Sequence, residues 1–174
     1  MRQLVIFSDG TGNSSSKAQK TNVWRLFQAL DQTSGDALAI YDDGVGTSSN
    51  KYVAAVTGAF GFGLKRNVLR LYKFACRNHA PGDDIYGFGF SRGAFTIRVL
   101  VDLIATEGLV TFRSEQELDR NARTMYRRYR AKSFPSWSPF VIAARYLRDA
   151  VLAARDWIRA NRTYANLRED IKQQ

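Results

Sequence analysis

Residues 85–95 read Ile-Tyr-Gly-Phe-Gly-Phe-Ser-Arg-Gly-Ala-Phe, an apolar strand running into Gly-x-Ser-x-Gly and then into a helix. A chain that enters a helix this way is committed to a sharp corner at Ser91, with its backbone passing close on both sides. Gly89 and Gly93, lacking a Cβ, allow that passage. Ile85, Tyr86, Phe88 and Phe90 give the strand a buried character, and Phe95, Val99 and Leu103 recur at helical spacing beyond the corner. This is the sequence form of a nucleophile elbow, with Ser91 raised above the carboxyl end of a parallel strand. The structural alternative is an ordinary glycine-rich turn, which needs the same glycines and makes no use of the hydroxyl.

A nucleophilic serine needs a base. The single histidine, His79, lies upstream of Ser91, whereas an elbow serine precedes its acid and its histidine along the chain. His79 follows a helix predicted over 64–78 and comes before the elbow strand. That strand has about six residues at roughly 3.3 Å each, so His79 is expected about 20 Å from Ser91, at the other end of the sheet. A helix C-terminus favours a histidine through the dipole alone. No base for Ser91 is therefore expected among these residues.

Residues 3–7 form a short apolar strand, stopped by Ser8-Asp9-Gly10-Thr11-Gly12-Asn13. Thr21 or Asn22 caps a helix carrying Val23, Leu26, Phe27 and Leu30 on one side. Residues 37–41 read as a second strand, ending in Asp42-Asp43-Gly44-Val45-Gly46. The helix over 64–78 gathers Val68, Leu71, Tyr72 and Ala75, and Pro81-Gly82-Asp83 turns into the elbow strand. Strand and helix alternating three times predict parallel β-α units and an α/β fold. From Thr111 the strand signals stop. Ser114 and Glu117 make a capping box, opening a helix with Leu118, Ala122, Met125 and Tyr129 in register, and a second long helix is predicted over 138–160. The domain expectation is an α/β part over 1–112 and a basic helical segment, a cap, lid or insertion, over 113–174.

The three strand-ending loops hold the distinctive residues: Asp9-Gly10-Thr11, Asp42-Asp43-Gly44 and Ser91. Sites of parallel sheets form beyond the carboxyl ends of the strands, so one site is expected there, with Asp9, Asp42, Asp43 and Gly44 as substrate-pocket candidates. A strand followed by Asp-Gly-Thr also ends the Asp-x-Asp-Gly-Thr motif of haloacid-dehalogenase-type phosphatases. Phe7 stands at that motif's nucleophile position and cannot attack. Adjacent carboxylates in a glycine-rich turn suit turn chemistry better than a cation shared with Asp9, and neither metal nor cofactor is expected. Gly58, Gly61 and Gly63 are spaced in the wrong order for a dinucleotide fingerprint.

With 174 residues and 45% hydrophobic side chains the chain can bury one core. Cys76 is alone, so neither a disulfide framework nor a cysteine metal site is expected. Residues 2–7 are too short for a signal peptide, and no apolar run approaches a membrane span. The expected location is cytoplasmic, or outside the cell by a secretion system that needs no signal peptide. Of the net +10, most falls late: residues 113–174 carry 14 of the 26 basic side chains but 7 of the 16 acidic ones. No nucleic-acid motif accompanies that charge, and nucleic acid is not an expected partner. In the helix over 138–160, Phe140, Ala144, Leu147, Val151, Ala154 and Ile158 form one stripe, with Arg145, Arg148, Arg155 and Arg159 away from it. Packing of that stripe on a neighbouring helix is the first expectation. Peripheral contact with an anionic membrane is the second, since Trp137 and Trp157 accompany the basic residues.

Six segments occur in a telling order: Phe7-Ser8-Asp9-Gly10-Thr11-Gly12-Asn13, Thr21-Asn22-Val23, Tyr41-Asp42-Asp43-Gly44-Val45-Gly46-Thr47, Gly58-Ala59-Phe60-Gly61-Phe62-Gly63-Leu64, Pro81-Gly82-Asp83 and Gly89-Phe90-Ser91-Arg92-Gly93-Ala94. Over roughly residues 2–112 the chain resembles the α/β-hydrolase domain family that includes the catalytic domains of type VI secretion phospholipase effectors. The resemblance implies a partial α/β-hydrolase fold, a short parallel sheet flanked by helices, with strand 3–7 between strands 37–41 and 84–89. It implies a serine hydrolase acting on ester or phospholipid substrates, with Ser91 matching the family nucleophile. The oxyanion formed on attack needs two backbone donors. Arg92 is expected to supply one, and Gly10 or Thr11 the other. Family members continue with a strand bearing the triad aspartate and a later histidine, which Asp149, Asp156 and Asp170 do not match. The resemblance thus implies the N-terminal fragment of a longer hydrolase, inactive alone, whose elbow strand has a bare outer edge. The alternative is a non-catalytic interaction or membrane-binding module on a decayed hydrolase scaffold.

Overall fold

A computed structural model describes residues 2–10, 20–30, 33, 35–43, 62–133 and 150–151. Thr11 and Gly44 lie outside the described residues, as does the helix expected over 138–160 apart from Ala150 and Val151, which are helical and exposed. The elements in chain order are β1 (Gln3–Ser8), α1 (Asn22–Ala29), β2 (Ala37–Asp42), α2 (Phe62–Asn78), β3 (Asp84–Gly89), α3 (Arg92–Glu107) and α4 (Glu115–Ser133). They fall into two compact units, Met1–Ala105 and Thr106–Gln174.

The first unit is built on a three-stranded parallel sheet in the order β2-β1-β3. Gln3 pairs with Ala37 and Asp84, and Ser8 with Asp42 and Gly89, so the three strands end level. From β1 the chain steps to β2 and then crosses back over β1 to β3. Right-handed crossovers therefore put α1 on one face of the sheet and α2 on the other. Central β1 is buried on both faces, which is why its sequence is continuously apolar.

Side-chain alternation divides β1 between two cores. Val5 and Phe7 face α1, forming a cluster with Val23 and with Phe27, Leu30, Ala39 and Tyr41 packed around it. Phe7 meets Phe27 edge-on at 5.5 Å and stacks on Phe88 at 5.3 Å. Leu4 and Ile6 point to the other face and are fully buried, as are Val68, Leu71, Tyr72 and Ala75 of α2. Ile97 of α3 also covers that face: a Cβ on Gly87 would lie 2.6 Å from its Cγ2.

Thr21, rather than Asn22, is the α1 cap; its hydroxyl accepts from the Trp24 N–H at 3.1 Å. At the amino edge of the sheet the Arg2 guanidinium reaches the Asn78 carbonyl and Asp83. The outer edge of β3 has no strand partner among the described residues, and Tyr86, Phe88 and Phe90 are exposed beside it.

In the second unit, the Glu117 N–H donates to Ser114 Oγ at 3.2 Å, as the capping box requires. The Glu117 carboxylate accepts from the Arg113 N–H at 2.8 Å, one residue before the cap. Leu118, Ala122, Met125 and Tyr129 are buried along one side of α4, as their spacing predicts. The buried Glu107 carboxylate takes Arg128 at 3.2 Å and Lys132 at 2.8 Å, side chains one turn apart on α4. Among the described residues no helix is long and apolar enough to cross a membrane.

Candidate active site

The order β2-β1-β3 reverses direction at β1, which makes the carboxyl ends of β1 and β3 a topological switch point. Such switch points are where α/β sheets place their sites. Asp9 and Gly10 follow β1, and Ser91 follows β3.

Ser91 has φ 53°, and among the described residues it is the one non-glycine with positive φ. L-residues rarely adopt that region unless surrounding contacts hold them there. Those contacts are visible. The Phe90 N–H donates to the Ser8 carbonyl at 3.2 Å, extending the β1–β3 ladder one step past the strand. The Gly93 N–H closes the turn on the Phe90 carbonyl at 2.9 Å, and the Phe95 N–H takes the Ser91 carbonyl at 3.3 Å. A Cβ on Gly93 would land on the Ser8 carbonyl and lie 2.6 Å from Asp9 O. One on Gly89 would lie 2.6 Å from Ala94 N. Both glycines are thus required by backbone crossing at van der Waals distance. Ser91 itself is exposed. Arg92 opens α3, which puts its N–H among the donors pointing out of the helix's amino end, where the helix dipole favours negative charge.

The side chains of Asp9 and Asp42 point to opposite faces of the sheet. Asp9 is buried, and its Oδ2 accepts from Thr21 Oγ1 at 2.5 Å and Tyr41 Oη at 2.6 Å, both on the α1 side. Its Oδ1 accepts from the Gly10 N–H at 2.6 Å. Burial above all, and then the bond to Asp9, push the Tyr41 phenol far up, so it stays a donor. Asp42 follows Tyr41 and so points to the α2 face, where Oδ1 takes Arg70 Nη1 at 2.8 Å. Burial raises the Asp42 carboxyl to about 6, with Arg70 opposing and Asp43 reinforcing. Its carbonyl accepts from the Asp9 N–H at 3.0 Å. Asp43 lies just beyond β2, its carbonyl 3.5 Å from Asn67 Nδ2.

Ser91, Arg92, Gly10 and Asp9 are therefore gathered at one edge. The carboxylates of Asp9 and Asp42 are wall residues engaged by their neighbours. The Gly10 N–H is held by Asp9, so donating to an oxyanion would require it to leave that carboxylate. Among the described residues no three His, Cys, Asp or Glu side chains gather for a metal. His79 ends up just past α2 and before the start of β3, while Ser91 follows the end of β3. The sequence pointed to Thr21 only as a cap and not as a partner of Asp9, and it singled out neither Tyr41 nor Arg70 as a partner of these carboxylates, although the period-2 alternation that separates Tyr41 from Asp42 is present in it.

The sequence model of the type VI secretion system phospholipase effector Tle1-like catalytic domain matches residues 2–149. The chain belongs to this family. The match runs beyond residue 112, through α4 and on to residue 149. The chain is also similar to the uncharacterized protein YEL023C of Saccharomyces cerevisiae (strain ATCC 204508 / S288c), at 28% identity over 149 residues. That alignment takes in 78% of this chain and 22% of the yeast protein, so the chain spans about a fifth of that relative's length. No solved structure matches.

Proposed function

We propose that this Tle1-like domain is part of a serine ester hydrolase of phospholipase type with Ser91 as nucleophile. The observation that supports it is the positive-φ serine at the switch point, between two glycines that no other residue could replace. Ser91 Oγ attacks the ester carbonyl. The Arg92 N–H and one donor from the loop after β1, Gly10 or Thr11, receive the oxyanion. The proton passes to a histidine oriented by an aspartate, both supplied by polypeptide outside these 174 residues. Residues 1–112 then form the nucleophile-bearing part of the hydrolase domain, and 113–174 a cap or insertion whose stretch 138–160 packs its apolar stripe on a neighbouring helix, with peripheral contact to an anionic membrane as the alternative. Ester or phospholipid is the substrate, nucleic acid is no partner, and delivery by the secretion system needs no signal peptide.

The second reading is a non-catalytic interaction module on a decayed hydrolase scaffold, favoured by the position of the one histidine at the far edge. Hydrolysis of a short-chain nitrophenyl ester by the purified chain separates the two. A serine hydrolase lacking a triad member keeps roughly a thousandfold to ten-thousandfold rate over water, from the oxyanion hole and binding alone. With added imidazole standing in for the missing base, the expected result is a turnover that Ser91→Ala lacks and His79→Gln keeps. Turnover with imidazole equal in Ser91→Ala would favour the binding module, and a Ser91-dependent rate without imidazole that is lost in His79→Gln would place the base at His79 after all.

A further inference from the structure

Ser8 and Asp42 are register partners at the ends of β1 and β2, so their side chains leave the same face of the sheet. Both residues are buried, at 1% exposure each, and two of their side-chain atoms, Ser8 Oγ and Asp42 Oδ2, have no hydrogen-bond partner among the described residues. Arg70 engages only the other oxygen, Oδ1. Buried polar atoms in folded proteins are paired almost without exception. Here a hydroxyl donor and a carboxylate acceptor stand on adjacent strands, whose backbones are about 4.8 Å apart. That spacing is spanned by one rotation about the Ser8 χ1 bond or by one bridging water.

We propose that the Ser8 hydroxyl and Asp42 Oδ2 form a cross-strand latch, bonded directly or through a single water, that positions the nucleophile elbow. Ser8 is the residue on which the elbow rests. Its carbonyl accepts the Phe90 N–H and is the atom against which Gly93 packs. Locking its side chain to Asp42, itself held by Arg70, ties the elbow through β1 to α2. The charged groups acting on Asp42 are Arg70 and Arg66 from α2 and Asp43 beside it, with the Tyr41 phenol near on its own strand. Ser8 is thus a positioning residue. The latch rests on strand register and burial, and its bearing on Ser91 rests on the nucleophile reading.

A carbon-13 NMR titration of the Asp42 carboxyl in the whole 174-residue chain tests the latch without any catalytic readout. A hydroxyl donor favours the ionised carboxylate, so removing it in Ser8→Ala is expected to raise the Asp42 midpoint by about half a pH unit or more. Ser8→Cys, a weak donor of similar size, is expected to shift it upward by less, and serves if the alanine variant does not fold. A midpoint that stays put or falls in the folded variants overturns the latch. A parent chain with inert Ser91 but the expected Asp42 shift would sink the nucleophile reading and leave the latch standing.

Discussion

Gly93→Ala is expected to destabilise the amino-terminal unit by at least about 3 kcal/mol, at or above the usual range for overpacking. In the first turn of a helix the same substitution would ordinarily stabilise, by up to about 1 kcal/mol, because alanine is the better helix former. The sign reverses here because the new methyl would occupy the space of the Ser8 carbonyl and crowd that of Asp9, and backbone atoms of a central strand cannot swing aside as a flexible side chain can. Relief requires parting α3 from β1, which breaks the Phe90–Ser8 bond and the turn that holds Ser91 in its left-handed conformation. Denaturant midpoints followed by circular dichroism would read the loss. Gly82→Ala is the comparison, since its Cβ would meet nothing within 4 Å and only its φ of +90° would be strained. A Gly93→Ala chain as stable as the parent would mean that β1 and α3 do not cross as described.

The second large effect is a pH dependence carried by Asp42. Its folded carboxyl titrates at about 6 against an ordinary value of 3.8. The folded state therefore holds the proton more tightly than the unfolded chain does. That contribution to stability is fully present below about pH 4 and is lost as pH rises through 6. Two units at 1.36 kcal/mol each set about 3 kcal/mol as its upper bound. Asp42→Asn removes the titration while keeping the shape. The difference in stability between parent and variant should thus move in the parent's favour as pH falls from 7 to 4. The other carboxylates titrate in both chains and cancel from that difference. A gap independent of pH would show that Asp42 is solvated rather than buried behind Arg70.

Much of this was legible in the residues because it follows from short-range rules. The short apolar run of residues 3–7, the capping hydroxyl at Thr21 and the capping box at Ser114 and Glu117 each specify local structure that the fold then adopts. The elbow was legible because Gly-x-Ser-x-Gly has few ways to connect a strand to a helix. What sequence could not show is which neighbour each polar side chain finds across the sheet. Asp9 and Asp42 both follow or end strands at the same edge and looked like equivalent pocket residues. Their separation onto opposite faces, one to Tyr41 and Thr21 and the other to Arg70, depends on crossover handedness and on helix placement. The same long-range information decides that the Gly10 N–H turns to Asp9 and that Ser8, unremarkable in the chain, carries the elbow on its carbonyl.

The central claim is that Ser91 is a nucleophile held ready by its backbone, and its most direct test is covalent capture. The folded chain is incubated with a fluorophosphonate probe, and adducts are counted by intact mass and located by peptide mapping. One adduct is predicted, on Ser91, forming faster in the folded than in the denatured chain and quickened by added imidazole, which stands in for the base. It should be absent from Ser91→Ala. A folded chain that gains no adduct even with imidazole, or gains the same adduct in Ser91→Ala, would contradict the account.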